Sequence, residues 1–371
     1  MGDAWSEARR DFPALARYTY LNAASSSPTP VQVRAEVERF YREAEEGGDV
    51  HWEAWVERRE HVRARVAGFI GATPDEIAFV PNTSTGINLL VDLVAGDGPV
   101  LTDELEFPTV TLPFVHRGVE AHYLPAPGGL LRAEDFAAER TPPAATIAVS
   151  HVQFSNGCRL DLAALGRIKG ARSLVVSASQ SAGAFRLDVG AWGLDGLAAA
   201  GHKWMCAGYG AGFVYVSRRL LARPPRTMGW MSVERPFAFD NRAYRLLPGA
   251  ARAELGCPAF PGVFALGAAV EYLEALGREA IEARVLDLNR QLTDGLQAAG
   301  FEVLSPGGAQ RSAETLVAIG DPRGAAAFLE ERGVLVTRKK EGLRLATHFY
   351  NDERDLAAVL RALREWRATR G

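Results

Sequence analysis

No apolar run in the 371 residues approaches the roughly 20 that a bilayer-spanning helix requires, so no membrane-embedded segment is expected. The stretch from Met1 to Phe12 alternates charge instead of offering an apolar leader core, and the expectation is a cytoplasmic protein. Cysteine is scarce. Cys158, Cys206 and Cys257 are odd in number, widely separated and free of any C-x-x-C pair, which argues against a disulfide framework and against a structural zinc site. The seven histidines show no H-E-x-x-H or H-x-H spacing, so no metal site is expected. An excess of one charge is missing too. Forty-two Lys and Arg against 45 Asp and Glu leave a formal charge of −3, which provides no footprint for nucleic acid or for an anionic membrane surface. Internal repeats and low-complexity tracts are absent, which excludes solenoids and disordered linkers as the main architecture.

What remains is a globular composition, 47% hydrophobic and 23% charged, in a chain long enough for two or three domains. Short apolar runs (EIAFV, GPVLTD, TIAVSH, SLVVSA and GFVYV) alternate with helix-period segments from about residue 60, the signature of a mostly parallel α/β sheet. DLAALGRIK, between TIAVSH and SLVVSA, predicts a crossover helix. After about residue 255 a long helix-period stretch, FALGAAVEYLEALGREAIEARVLDLNRQLTDGLQAAG, precedes FEVLSP, ETLVAIG, GVLVTR and LRLATHFY and a closing helix, which predicts a smaller α+β unit. The Pro-, Arg- and aromatic-rich stretch from Arg223 to Gly249 reads as a long functional loop or a junction.

Open parallel sheets take ligands beyond the C-terminal ends of their strands, so the residues that follow the apolar runs carry the information. EIAFV leads into Pro81 to Ile87, where Thr83 and Ser84 precede a helix expected to begin near Gly86; this is either a phosphate cradle or an ordinary N-cap. GPVLTD leads to Glu106 and Phe107, whose ring belongs either to the core or to the rim of a site. SLVV ends in Ser177, Ala178, Ser179 and Gln180. His202, Lys203 and Trp204 follow GLDGLAAA; a lysine in such apolar company becomes a usable amine nucleophile if burial lowers its pKa, and is surface decoration if not.

Taken in order, these segments resemble the class V aminotransferases, a group of fold type I pyridoxal-phosphate enzymes that includes cysteine desulfurases, selenocysteine lyases and isopenicillin-N epimerase-like proteins. The resemblance runs from TYLNAASSSPTP to RLATHFYNDERD and is most specific from Ser177 through Gln180 and Gly183, then LDVGAWGLDGLAAAGHKW and GYGAGFVYV. It implies a fold type I architecture. An N-terminal arm (1–20) would precede a large cofactor domain with a mostly parallel seven-stranded sheet (21–250) and a smaller C-terminal α+β domain (251–371). It implies pyridoxal 5'-phosphate as cofactor, a small amino-acid-type substrate, and a homodimer. By position, Lys203 would be the Schiff-base lysine, His202, Thr83 and Ser84 would hold the phosphate, and Phe107 would stack on the ring. Gln180 would reach the phenolic oxygen, and Arg344 would fork onto the substrate carboxylate. Substrate specificity would lie around Asn156, Trp230 and the loop before Gly249.

Four departures from the group's pattern qualify that expectation. Ser177 stands where the group has an aspartate paired with the pyridine nitrogen; a hydroxyl does not stabilise a protonated ring, so a delocalised carbanion is less favoured. That disfavours transamination and favours β-elimination, carbon–sulfur cleavage or epimerase-type chemistry. A chain that has lost catalysis and a chain with an engineered replacement fit the same substitution. GVLVTRKKEGL lacks the loop cysteine on which desulfurases build a persulfide. Cys257 replaces a threonine that touches the neighbouring subunit's phosphate, and Ala200 replaces a serine three residues before the lysine.

Overall fold

Seven strands make the central sheet of the computed structural model, which describes residues 2–370. They are β1 (Ile77–Phe79), β2 (Val100–Asp103), β3 (Ala121–Leu124), β4 (Thr146–Ser150), β5 (Ser173–Ser177), β6 (Gly196–Ala200) and β7 (Gly212–Val216). Their spatial order is β1-β7-β6-β5-β4-β2-β3. Only β7 runs against its neighbours, β1 and β6; the other adjacent pairs are parallel. β2 and β4 to β7 are buried along their whole length, which is why four of them read as continuous apolar runs. The helix Leu162–Ile168 connects the parallel pair β4 and β5, as its periodicity predicts.

Two strands were not visible as apolar runs. β3 lies at the sheet edge, half covered, and AHYL accordingly lacks a continuous apolar character. β6 is GLAAA, which has no β-branched or aromatic residue and is a strand because of what packs on it. A Cβ on Gly196 would come within 2.4 Å of Leu90, and one on Gly86 within 2.7 Å of the Ala198 Cβ. Small side chains on both partners let the helix Thr83–Val94 lie close against β6 and fix its first turn at the strand ends.

The long helix-period stretch divides at Gly277, whose φ of +86° breaks it into Phe260–Leu276 and Arg278–Ala298. The first of these packs on the helices Val31–Gly47 and Trp52–Ile70. A second, antiparallel sheet has the order β9-β10-β8, from β8 (Glu314–Ala318), β9 (Thr337–Arg338) and β10 (Gly342–Ala346). FEVLSP forms no strand beyond an isolated bridge from Val303 to Val317. GVLVTR splits, because Val334–Leu335 pairs in parallel with Thr19–Tyr20 before the chain enters β9. Asn22 bridges Ala346, so residues 19–22 run along the C-terminal sheet. The expected α/β architecture, a mostly parallel seven-stranded sheet with a C-terminal α+β portion, is the one observed. Among the described residues no helix is long and apolar enough to cross a membrane.

Candidate active site

Lys203 occupies a tight turn just beyond β6. The Gly201 amide donates to the Ala211 carbonyl at 2.6 Å and the Cys206 amide to the Lys203 carbonyl at 3.1 Å. Cys206 closes the turn with a φ of +58°, a left-handed conformation uncommon outside glycine. The lysine is only partly exposed, and burial pushes its amine down to about 8; Arg344 adds to this and Glu314 opposes it. Next to it, burial and the Lys203 charge lower His202 to about 4, so its imidazole is neutral at pH 7. The His202 ring stacks on Tyr209 with centroids 4.8 Å apart.

The neighbouring helix begins at Thr83, three residues earlier than expected, because Asn82 caps it: its Oδ1 accepts from the Thr85 amide at 2.9 Å. The first-turn amides of Thr83 and Ser84 consequently have no acceptor within the helix and lie at its positive end. The Thr83 hydroxyl is 2.7 Å from that of Ser179, and the Ser179 oxygen accepts from Ser177 Oγ at 3.3 Å. A chain of three hydroxyls therefore joins the helix start to the end of β5. Ser84 is bonded to Thr109 at 2.8 Å.

Other expected residues have different surroundings. Gln180 donates to the Ala24 carbonyl at 2.9 Å and accepts from the Trp204 indole at 2.9 Å, so its amide ties the lysine turn to the N-terminal segment. Asn156 likewise donates to the Gly129 carbonyl at 2.7 Å and accepts from the Cys158 amide at 3.0 Å. Phe107 is 47% exposed and meets Phe154 edge-on, centroids 4.9 Å apart, at the rim of the sheet. Cys257 is exposed, and among the described residues no bond joins it to this cluster. The structure thus brings Lys203, His202, Thr83, Ser177 and Gln180 to one end of the sheet, with Phe107 and Arg344 meeting Phe154 on its flank.

Arg344 projects from β10, its side chain 4% exposed. Its Nη1 donates to the Phe154 carbonyl at 2.9 Å, and Nη2 to Ser25 Oγ at 3.1 Å and Thr337 Oγ1 at 3.4 Å. Glu314, wholly buried, lies 3.3 Å from Nη1. Sequence reasoning missed Glu314 because it opens the apolar run ETLVAIG. A carboxylate starting a buried strand was the available signal, since such a group needs a partner. It also missed Lys339, hidden in the run RKKEG that reads as a solvated turn. Lys339 Nζ sits 4.1 Å from the Phe154 ring centroid, and burial together with Arg344 lowers it to about 8. Behind Phe107, Gln153 donates to both Asp103 (3.1 Å) and Glu106 (2.8 Å); burial and the facing carboxylate push Asp103 up to about 9.

These residues fit a phosphorylated pyridine aldehyde. A primary amine with a depressed pKa stands at the strand ends, a helix start offers amides and hydroxyls to a phosphate, and a hydroxyl at Ser177 can serve a neutral ring nitrogen. The Aminotransferase class-V profile matches residues 19–362 of the chain. An uncharacterized aminotransferase of Bacillus subtilis, YcbU, is 31% identical over 359 residues, covering 94% of each chain. A probable cysteine desulfurase of Methanothermobacter thermautotrophicus is 31% identical over 318 residues, 79% of this chain and 78% of that one. Among solved structures, the apo cysteine desulfurase of Thermococcus onnurineus superimposes with a TM-score of 0.89 at 24% identity, covering 97% of both chains.

Proposed function

The chain belongs to the class-V aminotransferase family, and from that premise we propose a pyridoxal-phosphate-dependent enzyme that acts on an amino acid or amino-acid conjugate. Its chemistry is β-elimination or carbon–sulfur cleavage, or a related epimerase-type reaction. The observation that carries this reading is Ser177. Its buried hydroxyl, bonded to Ser179, stands at the end of β5 in the place of a carboxylate. Bound pyridoxal phosphate supplies an aldehyde carbon and an electron-accepting ring. Lys203 would hold the aldehyde through its amine and, as a free amine, would be the base for the substrate's α-proton; a pKa of about 8 suits both tasks. Thr83, Ser84 and neutral His202 would hold the phosphate. Gln180 fixes the lysine turn through Trp204. Ser177 would face the ring nitrogen with a hydroxyl that does not fix a proton on it, which would favour reactions in which a β-substituent leaves as the α-proton is removed.

The Methanothermobacter relative bears the name of a probable cysteine desulfurase, a carbon–sulfur-cleaving activity, but the 333–343 segment here has no cysteine to accept sulfur. Elimination without a protein persulfide follows. Transamination is the second reading, favoured by the 31% identity to a chain called an aminotransferase. A homodimer belongs to the proposal: Trp230, Phe237 and Phe239 form an exposed aromatic cluster in the 223–249 loop, a surface that a second copy would cover.

The test is a screen of the cofactor-loaded protein with amino acids and thioether conjugates, reading pyruvate, ammonia and sulfide. Catalytic release of a keto acid with loss of the β-substituent supports the reading. Stoichiometric amino exchange with keto acids replaces it by transamination. A colourless protein that ignores added pyridoxal phosphate ends it.

A further inference from the structure

Arg344 is not a free cation. Both arms of its guanidinium are engaged, with Phe154, Ser25 and Thr337, and Glu314 lies against Nη1. The strand register explains the arrangement. Arg344 is opposite Leu316 on β8 and Thr337 on β9, so Glu314, Arg344, Thr337 and, after one more alternation, Lys339 project from one face of the sheet. Burial raises the Glu314 carboxyl above the ordinary carboxylate value, and the charges of Arg344, Lys203 and Lys339 oppose that rise. Its Oε2 lies 3.3 Å from Arg344 Nη1, and this ion-pair geometry sets its negative charge against the guanidinium. Glu314 therefore cancels the charge of Arg344, and this cluster retains the charge of Lys339.

Lys339 is a different kind of cation. Only four lysines occur among the 42 basic residues of the chain, and two of them, Lys203 and Lys339, are near enough to influence each other. Lys169 is paired with Asp195; Lys339 has no carboxylate in salt-bridge range among the described residues. Its partner is the face of Phe154, the residue whose carbonyl Arg344 also holds and whose ring meets Phe107. An ammonium on an aromatic face keeps its N–H donors available to an incoming anion.

We propose that Lys339 supplies the free positive charge that recognises a substrate carboxylate, while Glu314 acts as a positioning residue that holds Arg344 in its network. This rests on the enzyme reading above and deepens it: the site takes an amino acid with one uncompensated carboxylate, bound by a Lys339–Arg344 clamp whose net charge is +1. It departs from the expectation that Arg344 alone forks onto that group.

The experiment compares L-alanine with L-alaninamide, titrated into the cofactor-loaded protein at pH 7 and read by calorimetry and by visible absorption. The wild type should prefer the carboxylate roughly tenfold to hundredfold, the scale of a charge-assisted contact. Lys339→Met should lose that preference, Lys339→Arg should keep most of it, and Lys339→Met/Glu314→Gln should regain it, because releasing Arg344 restores the lost charge. Preference retained in Lys339→Met, a wild type without preference, or a double variant that does not recover would each overturn the inference. Failure to bind pyridoxal phosphate at all would instead sink the enzyme reading, and it shows as a missing chromophore before any amino acid is added.

Discussion

Glu314 and Arg344 form a diagonal pair across two antiparallel strands, 3.3 Å apart, with side chains 0% and 4% exposed. An ion pair this deep contributes little net stability, because desolvation of both ions offsets their attraction, but it makes each partner dependent on the other. Glu314→Leu should destabilise the protein by about 3–5 kcal/mol, since it strands a buried guanidinium. Glu314→Leu/Arg344→Leu should recover a large part of that loss. Urea unfolding of the two single variants and the double variant supplies the cycle, and additivity of the two losses would show that the pair is not coupled.

The first turn of the helix Thr83–Val94 is set by Gly86 against Ala198. An added methyl at Gly86 would stand 2.7 Å from the Ala198 Cβ, and neither side of that contact is a flexible chain end. Gly86→Ala should push the helix start off the sheet, at a cost of about 1–3 kcal/mol, and move the Thr83 and Ser84 donors with it. Affinity for pyridoxal phosphate should fall at least as clearly as the melting temperature. A variant that melts lower but binds the cofactor as tightly as wild type would separate that packing from the phosphate site.

How much of this was legible follows from what each residue must satisfy. Lys203 stood out because an ammonium among apolar residues conflicts with its own solvation, and the structure gives that conflict the expected outcome, a lowered pKa. β6 did not, because Gly and Ala carry almost no strand preference; its identity comes from Leu90 and Gly86 packing across it, which no local pattern records. The helix starts at Thr83 and not near Gly86 because the Asn82 side chain reaches the Thr85 amide, a contact that depends on backbone geometry and not on residue order. Glu314 and Lys339 are 25 positions apart and become neighbours only through the β8-β10-β9 register, so no spacing rule could pair them.

Lys203 gives a pH dependence with a defined sign. Its folded-state value of about 8 lies below the ordinary 10.5, so the native protein releases this proton before the unfolded chain does. The charged form is the one that burial penalises; the group therefore costs stability below pH 8, and that cost disappears as pH rises from about 8 to 10.5. At neutral pH the free amine is roughly three-hundredfold more abundant than on an unperturbed lysine. Capture of pyridoxal phosphate by the apoprotein, followed by stopped-flow absorbance, should accelerate up to about pH 8 and then level off. Burial sets the midpoint first, with the Glu314 charge raising it and the Arg344 charge lowering it. A rate that climbs steadily to pH 10 would mean that the amine is solvated.

Ser177 is 6% exposed at the end of β5, and its hydroxyl is satisfied by Ser179. Ser177→Asp places a carboxylate in that enclosed position. Without cofactor the new group has no cation assigned to it, so the apoprotein should lose about 1–3 kcal/mol, the cost of burying an unsatisfied polar group. With pyridoxal phosphate bound, a protonated ring nitrogen becomes its partner and the loss should be recovered. The melting temperature should consequently rise more on cofactor addition in Ser177→Asp than in wild type, by linkage of binding to folding. The same change strengthens the ring as an electron acceptor, so the ratio of amino exchange to elimination products should increase. Equal thermal shifts in the two proteins would show that residue 177 does not face the ring nitrogen, and the elimination preference argued from its hydroxyl would lose its basis.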